Sequence, residues 1–250
     1  MIETKEAMSL AVEIGEEMLR NGAEIYRVED TILHVLEAFE VDEFDVYVLS
    51  NGIFASANEN KEDACSMIRH VPLGSINLEK ITLLNQLARD IYNKKCSIKE
   101  ARIRLTDCQN LPTYPKWIQV ACCGIGSGCF CYLFGGQVID MVFAFVIGIF
   151  EQLLLFECAK NKFSKFITTL IASLFVTALS FVVIYSDLNL MQDKIIIGAI
   201  MPLVPGIAFT TSIRDFYNGD HLSGTIHLVD ALLTAVCIAI GACLPLFLWT

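Results

Sequence analysis

Residues 195–215 read IIIGAIMPLVPGIAFTTSIRD, nineteen uncharged positions followed by Arg214 and Asp215. A stretch this long and this apolar can cross the ~30 Å hydrocarbon core of a bilayer as a helix. Pro202, Pro205 and Gly206 interrupt it near its middle. Neither proline has an N–H to give to the helical ladder, and each ring crowds the carbonyl one turn back, so the helix is expected to break there. Irregular backbone at membrane depth is tolerated only where protein or a water-filled cavity covers it. Broken helices of this kind mark substrate sites in secondary transporters; the alternative is a plain proline kink.

The rest of the chain suits a membrane. Of its 250 residues 54% are hydrophobic and 18% charged, with a mean hydropathy of +0.54, against roughly 45–50% and about 25% in a soluble domain. The charges are unevenly spread: residues 1–116 carry 13 basic and 20 acidic side chains, residues 117–250 only 5 and 8. The net charge of -10 argues against nucleic acid as a partner, because phosphate neutralisation needs clustered Lys and Arg.

Uncharged apolar runs also cover 117–139, 166–186 and 231–250. A further span is hidden between Val138 and Cys158, where Asp140, Glu151 and Glu157 interrupt 13 Val, Ile, Leu or Phe residues. Each of these contributes roughly −0.3 to −0.6 kcal/mol at the centre of a span, against about +2.5 to +3.5 kcal/mol for a central carboxylate. Only Glu151 is deep, so the apolar side wins. The reading is therefore five transmembrane helices, at about 117–134, 138–158, 166–186, 195–212 and 225–249. Ten Lys and Arg residues, from Lys94 to Lys116, Lys160 to Lys165 and Arg214, flank one side of these spans, and only Lys194 flanks the other. The positive-inside rule then puts the N-terminus in the cytoplasm and the C-terminus outside. Trp117, Tyr185 and Trp249 fall at span ends, as an interfacial aromatic belt would have them.

Within the membrane part, Asp140, Glu151 and Asp230 are costly unless they face a cavity, bind a cation or carry a proton, or unless Asp140 and Asp230 lie at the interface. Arg214 and Asp215, with Gly219, Asp220, His221 and Gly224, form a cytoplasmic mouth in the loop between the last two spans, where Arg214 could hold an anion or anchor the helix by pairing with Asp215. Gly124, Gly126 and Gly128 let helices approach closely.

Residues 1–108 read as a soluble α+β domain and 109–116 as a linker with two prolines. Apolar positions at three-and-four spacing predict one helix over 3–21, stopped by Gly22, and a second over 22–40 packed antiparallel to it. Asn51-Gly52 between apolar runs predicts a hairpin in which both residues accept positive φ. Residues 65–71 supply a third strand. Asn77 caps the next helix, and Ser97-x-x-Glu100 opens another. The order is ααβββαα, an antiparallel sheet covered by helices. In Gly22–Asp30, Arg27 sits three residues before Asp30 and could pair with it across a turn. No nucleophile motif, phosphate loop or metal-ligand pattern occurs, so neither an enzyme nor a cofactor is expected. The ten cysteines include no CxxC pair and read as small apolar filler.

Several pieces occur in a recognisable order: Gly22-Ala23-x-x-x-Arg27-Val28-Glu29-Asp30-Thr31, Asn77-Leu78-x-Lys80, Leu133-Phe134-Gly135-Gly136 followed by Asp140, and Pro202-x-x-Pro205-Gly206 followed by Arg214-Asp215, Gly219 and Gly224. This ordered set resembles the threonine/serine exporter family over nearly the whole chain. The resemblance implies an efflux carrier of the bacterial inner membrane, driven by the proton motive force, with a cytoplasmic N-terminal domain. Single-chain members carry a further membrane half after the fifth span. The chain is therefore similar to split members, whose larger subunit ends here and works with a small separate membrane protein. Some of those are linked to C4-dicarboxylates such as succinate rather than to hydroxy amino acids. The expected machinery is a break at Pro202, Pro205 and Gly206 that exposes backbone polar groups, proton coupling through Asp140, Glu151 or Asp230, and an inner gate at Arg214 and Asp215. The partners are the lipid bilayer, a small-molecule substrate, and a second small membrane subunit or further copies of the chain. The rival reading is a membrane-anchored scaffold or sensor that moves no solute.

Overall fold

A computed structural model describes residues 4–58, 64–72, 74, 76–184 and 190–249. The chain divides into two compact units, Met1–Pro112 and Thr113–Thr250.

In the first unit α1 (Thr4–Arg20) and α2 (Ile25–Ala38) precede strands β1 (Phe44–Leu49), β2 (Gly52–Ala57) and β3 (Cys65–His70), and α3 (Leu78–Tyr92) and α4 (Ile98–Gln109) follow. The helix boundaries have local causes. Gly22 takes φ +82° after α1, and Ala23 N–H reaches back to Met18 O, which satisfies carbonyls that the helix end would orphan. The side chains of Asn77 and Ser97 accept the N–H groups of Lys80 and Glu100 and so cap α3 and α4. Gly15 lets α1 and α2 close up, since a Cβ there would come within 2.5 Å of the Ile32 side chain.

The sheet is antiparallel in the order β1-β2-β3. Val48, Ile53, Ala55 and Ala57 turn inward onto the helices, and Tyr47, Phe54 and Ile68 form an exposed row on the other face. The hairpin differs from expectation. Leu49 pairs with Gly52, so the connecting residues are Ser50 and Asn51, and neither Asn51 nor Gly52 has positive φ. Gly52 is instead a ladder residue, paired on its other side with His70. That register keeps Val48 and Ile53 on the buried face, and burial outranks turn preference.

The second unit contains α5 (Lys116–Leu133), α6 (Val138–Lys160), α7 (Lys165–Ile184), α8 (Gln192–Ile200), a short 3₁₀ turn (Met201–Leu203), α9 (Gly206–Tyr217) and α10 (His221–Trp249). Among the described residues three helical stretches are long and apolar enough to cross a membrane: Val138–Lys160, Lys165–Val182 and His221–Leu248. Gln192–Leu203 and Gly206–Tyr217, bent by 57° at the break, make a fourth if they act as one span. Helix α5 is not among them, because Lys116, Gln119 and three glycines dilute its apolarity. The expected aromatic belt is described only in part, since Tyr185 lies outside the described residues.

Small residues hold α5 against α6: a Cβ on Gly124 would fall 2.9 Å from Phe145 O, and one on Gly128 3.0 Å from Met141 O. These glycines bring the two backbones together, as expected of small residues at four-residue spacing. Cys131, Ala144, Ile147, Val176, Ile195 and Ala199 form the buried centre where α5, α6, α7 and α8 meet. All ten cysteines are free.

Candidate functional site: polar groups buried between the apolar helices

The candidate carboxylates do not share one site. Asp140 is fully buried near the start of α6, where its Oδ2 accepts Gln137 N–H at 2.8 Å and its Oδ1 accepts Met191 N–H at 3.0 Å. It thereby caps its own helix and ties down the residue that precedes α8, 51 positions away in sequence. A carboxylate between two helix N-termini is favoured by the free N–H groups and the helix dipoles, so Asp140 has a complete structural use.

Asp230 on α10 bonds Lys165 Nζ at 2.5 Å, and Lys165 opens α7. The pair joins α7 and α10, and its lysine end belongs to a helix terminus, where a charged pair is least costly.

Arg214 and Asp215 are not in a loop. They lie in the last turn of α9, the connection to α10 is residues 218–220, and His221 and Gly224 already belong to α10. Asp215 is 3% exposed and faces His227 Nδ1 at 2.8 Å. Asp215 thereby makes a contact across the helix pair, with Arg214 as a nearby charge. Ser212 adds a second tie by donating to Gly224 O at 2.8 Å. In the first unit Arg27 pairs with Glu24 at 2.7 Å, on the turn before it, and Asp30 lies 3.3 Å from His34.

Glu151 differs from the other three. It lies 11 residues beyond Asp140, about 16 Å along α6 at 1.5 Å per residue, and is fully buried. Its Oε2 accepts from Cys123 Sγ at 3.8 Å, a weak donor, and among the described residues its Oε1 has no hydrogen-bond partner. Ser127, one turn along α5 from Cys123, is likewise buried with an unpartnered hydroxyl. It packs against Gly148, one turn before Glu151 on α6. The α5–α6 seam thus encloses a carboxyl, a thiol and a hydroxyl whose hydrogen-bonding capacity is mostly unspent. A buried polar group left in this state is costly unless function retains it.

The break lies beside the same helix. Val204 is extended (φ −64°, ψ 128°), and Gly206 N–H turns back to Val204 O at 2.8 Å instead of continuing the ladder. The 3₁₀ turn packs on α5, and Gly198, just before it, sits directly on Cys131 of α5. Helix α5 is therefore the wall shared by Glu151 and the break. Pro202 and Gly206 are exposed on the single chain, while Glu151 is sealed.

Sequence reasoning passed over Cys123, Ser127, His227 and Lys165 as partners. Ser127 is the lone hydroxyl among the small residues of α5, apart from Tyr132, and His227 is an ionisable residue inside a span. Both are signals that intramembrane polarity supplies.

The family described as "Putative threonine/serine exporter" matches residues 9–249. The chain is similar to a Klebsiella aerogenes protein named "Probable succinate transporter subunit YjjP", 22% identical over 251 residues that cover 99% of this chain and 95% of that one. It is also similar to a Mycobacterium tuberculosis protein named "Probable threonine/serine exporter", 22% identical over 98% of this chain. The chain spans about half, 46%, of that longer relative. No solved structure matches. The match over nearly its whole length shows that this membrane protein belongs to the threonine/serine exporter family, a family of transporters.

Proposed function

We propose that the chain is one subunit of a proton-coupled exporter of a small polar metabolite in the bacterial inner membrane. The cargo is a threonine/serine-type amino acid or a C4-dicarboxylate such as succinate. Five crossings complete the path: α5, α6, α7, the broken α8–α9 pair and α10. The N-terminal unit is cytoplasmic and the C-terminus outside. What supports the count is the alternation of contacts. The start of α6 meets the residue that precedes α8 at Met191–Asp140, and the end of α5 meets α8 at Gly198–Cys131. The starts of α7 and α10 meet at Lys165–Asp230, and the end of α9 meets α10 at Asp215–His227.

The observation that carries the coupling role is Glu151, a sealed carboxyl with one oxygen unpartnered among the described residues. Such a group is tolerable when protonated and becomes a carrier when a route opens to it. Asp140 and Asp230 then hold helices, and Asp215 with His227 closes the inner end beside Arg214.

The exposed break supports a partner. Non-helical backbone cannot face lipid, so the surface around Pro202, Pro205 and Gly206 needs protein or a water-filled path over it. Ile207, Phe209 and Ile213 of α9 are also exposed there. A separate small membrane subunit, or a second copy of the chain, provides that cover. The relative of twice the length and the relative named as a subunit favour the first.

The test is flux in proteoliposomes holding the chain and its membrane partner, with an imposed pH gradient and threonine, serine or succinate inside. Glu151→Gln is expected to abolish gradient-driven efflux and to leave the protein folded and assembled. Wild-type flux in that variant removes Glu151 from the mechanism.

A further inference from the structure

The soluble unit has a groove of about 690 Å³ between the outer sides of α2 and α3, within the size range of small-molecule sites, about 300–1,000 Å³. The two helices run the same way. Asn77, at the head of α3, donates its N–H to Asn21 O just ahead of α2, and further along the rings of His34 and Tyr92 meet edge to face at 5.1 Å. Because residues three and four apart share a helix face, α2 lines the groove with Arg27, Asp30 and His34, and α3 lines it with Asn85, Arg89 and Tyr92. This is the face of the Gly22–Asp30 motif that the membrane machinery does not use.

The charges in the groove divide into spent and unspent. Arg27 is held by Glu24 at 2.7 Å and by Tyr26 Oη at 3.3 Å. Among the described residues the Arg89 guanidinium has no ion-pair or hydrogen-bond partner. Among the same residues Asp30 has only His34, at 3.3 Å, and the ring nitrogen concerned is closer to Asp30 O, at 2.7 Å. The Asp30 carboxylate is 66% exposed. One available cation and one available anion thus face a common space, with an amide and a phenol ring beside them. A guanidinium is the natural partner of a carboxylate, and a carboxylate that of an ammonium. A dianion would find one free cation and be repelled by Asp30.

We propose that this groove binds a free α-amino acid, with its carboxylate on Arg89, its ammonium on Asp30, and Asn85 and His34 beside its side chain. The site lies entirely in the soluble unit, and its chemistry does not depend on how the membrane unit works. It would let the cytoplasmic side of a transporter sense the amino-acid pool.

The test is calorimetric titration of the full-length protein in detergent with L-threonine, L-serine and succinate. Saturable binding of the amino acids is expected, and any binding of succinate should be unaffected by Arg89→Gln and Asp30→Asn. Arg89→Gln and Asp30→Asn should each weaken amino-acid binding about 10- to 100-fold, the range of a hydrogen bond to a charged group. Both side chains are exposed, so the variants should keep the wild-type unfolding temperature. In the wild type, L-threonine should slow amide hydrogen exchange in α2 and α3, a readout that needs no variant. Slowed exchange in α2 and α3 is read in the soluble unit whatever the flux result, which separates failure of this site from failure of the transport reading. Absence of saturable amino-acid binding, succinate binding that both variants weaken as they weaken that of the amino acids, or amino-acid affinities unchanged in both variants would overturn the proposal.

Discussion

Gly198 and Gly206 flank the break, and the structure assigns them opposite sensitivities. A Cβ on Gly198 would lie 2.6 Å from Cys131 Cβ and 2.7 Å from both Cys131 Cα and Cys131 N. Ordinary contact begins at 3.4 Å, so Gly198→Ala must push α8 from α5 by about 0.8 Å (3.4 less 2.6) at a point where Cys131, Ile195 and Ala199 are fully buried. The obstructing atoms are largely main chain, which cannot rotate away. Overpacking of this kind costs about 1–3 kcal/mol, which for a chain of this size corresponds to a fall in Tm of about 2–12 °C. Gly206 meets nothing within 4 Å and opens α9, where alanine is the better helix former by roughly 0.5–1 kcal/mol. Gly206→Ala should therefore hold or raise Tm. Thermal unfolding of both variants in one detergent, followed by intrinsic fluorescence, reads the difference. If Gly198→Ala melts with the wild type, or Gly206→Ala falls as far as Gly198→Ala, the close packing of α8 on α5 does not limit stability and the argument fails.

Two further outcomes can be checked in the same material. Asp140→Asn keeps one acceptor oxygen but turns an NH₂ toward a backbone N–H, so it should destabilise by about 1–3 kcal/mol; an unchanged Tm with uncoupled flux would give Asp140 the proton role instead of the capping one. In the soluble unit, Arg104 at 2.8 Å and the Gln86 amide at 2.9 Å hold the Asp90 carboxyl below its ordinary value. A lowered folded value means that the stabilisation is present above the unfolded carboxyl's pKa of about 4 and lost as pH falls through the folded value beneath it. The Tm gap between wild type and Arg104→Gln should accordingly be open at pH 7 and narrow below about pH 4; a gap independent of pH would mean that Arg104 acts through packing alone.

Much of the fold was legible because its causes are local. The Gly22 stop, the Asn77 and Ser97 caps and the Pro-x-x-Pro-Gly break each act within a turn or two of their own position. Apolar periodicity placed α5 to α10 within a few residues of where they lie. The hairpin turn was misread by one residue because Ile53 and Val48 had to face the core, a demand that comes from the helices beneath. The site was legible as a list of costly residues and not as an arrangement. The sequence set Glu151 apart by depth alone and put Asp215 in a loop, and it named no partner for Asp140, Glu151 or Asp230.

Composition, hydropathy and order of motifs by themselves determined that the chain enters a membrane, where its helices run and which helix breaks, since each follows from the solvent and from covalent geometry. Only the tertiary structure decided what each buried charge does. Asp140 finds a backbone N–H 51 residues away, Asp230 finds Lys165, Asp215 finds His227, and Glu151, among the described residues, finds only a thiol. Partners of that separation are chosen by which helix faces pack, and packing is a property of the whole unit, which no window of sequence contains.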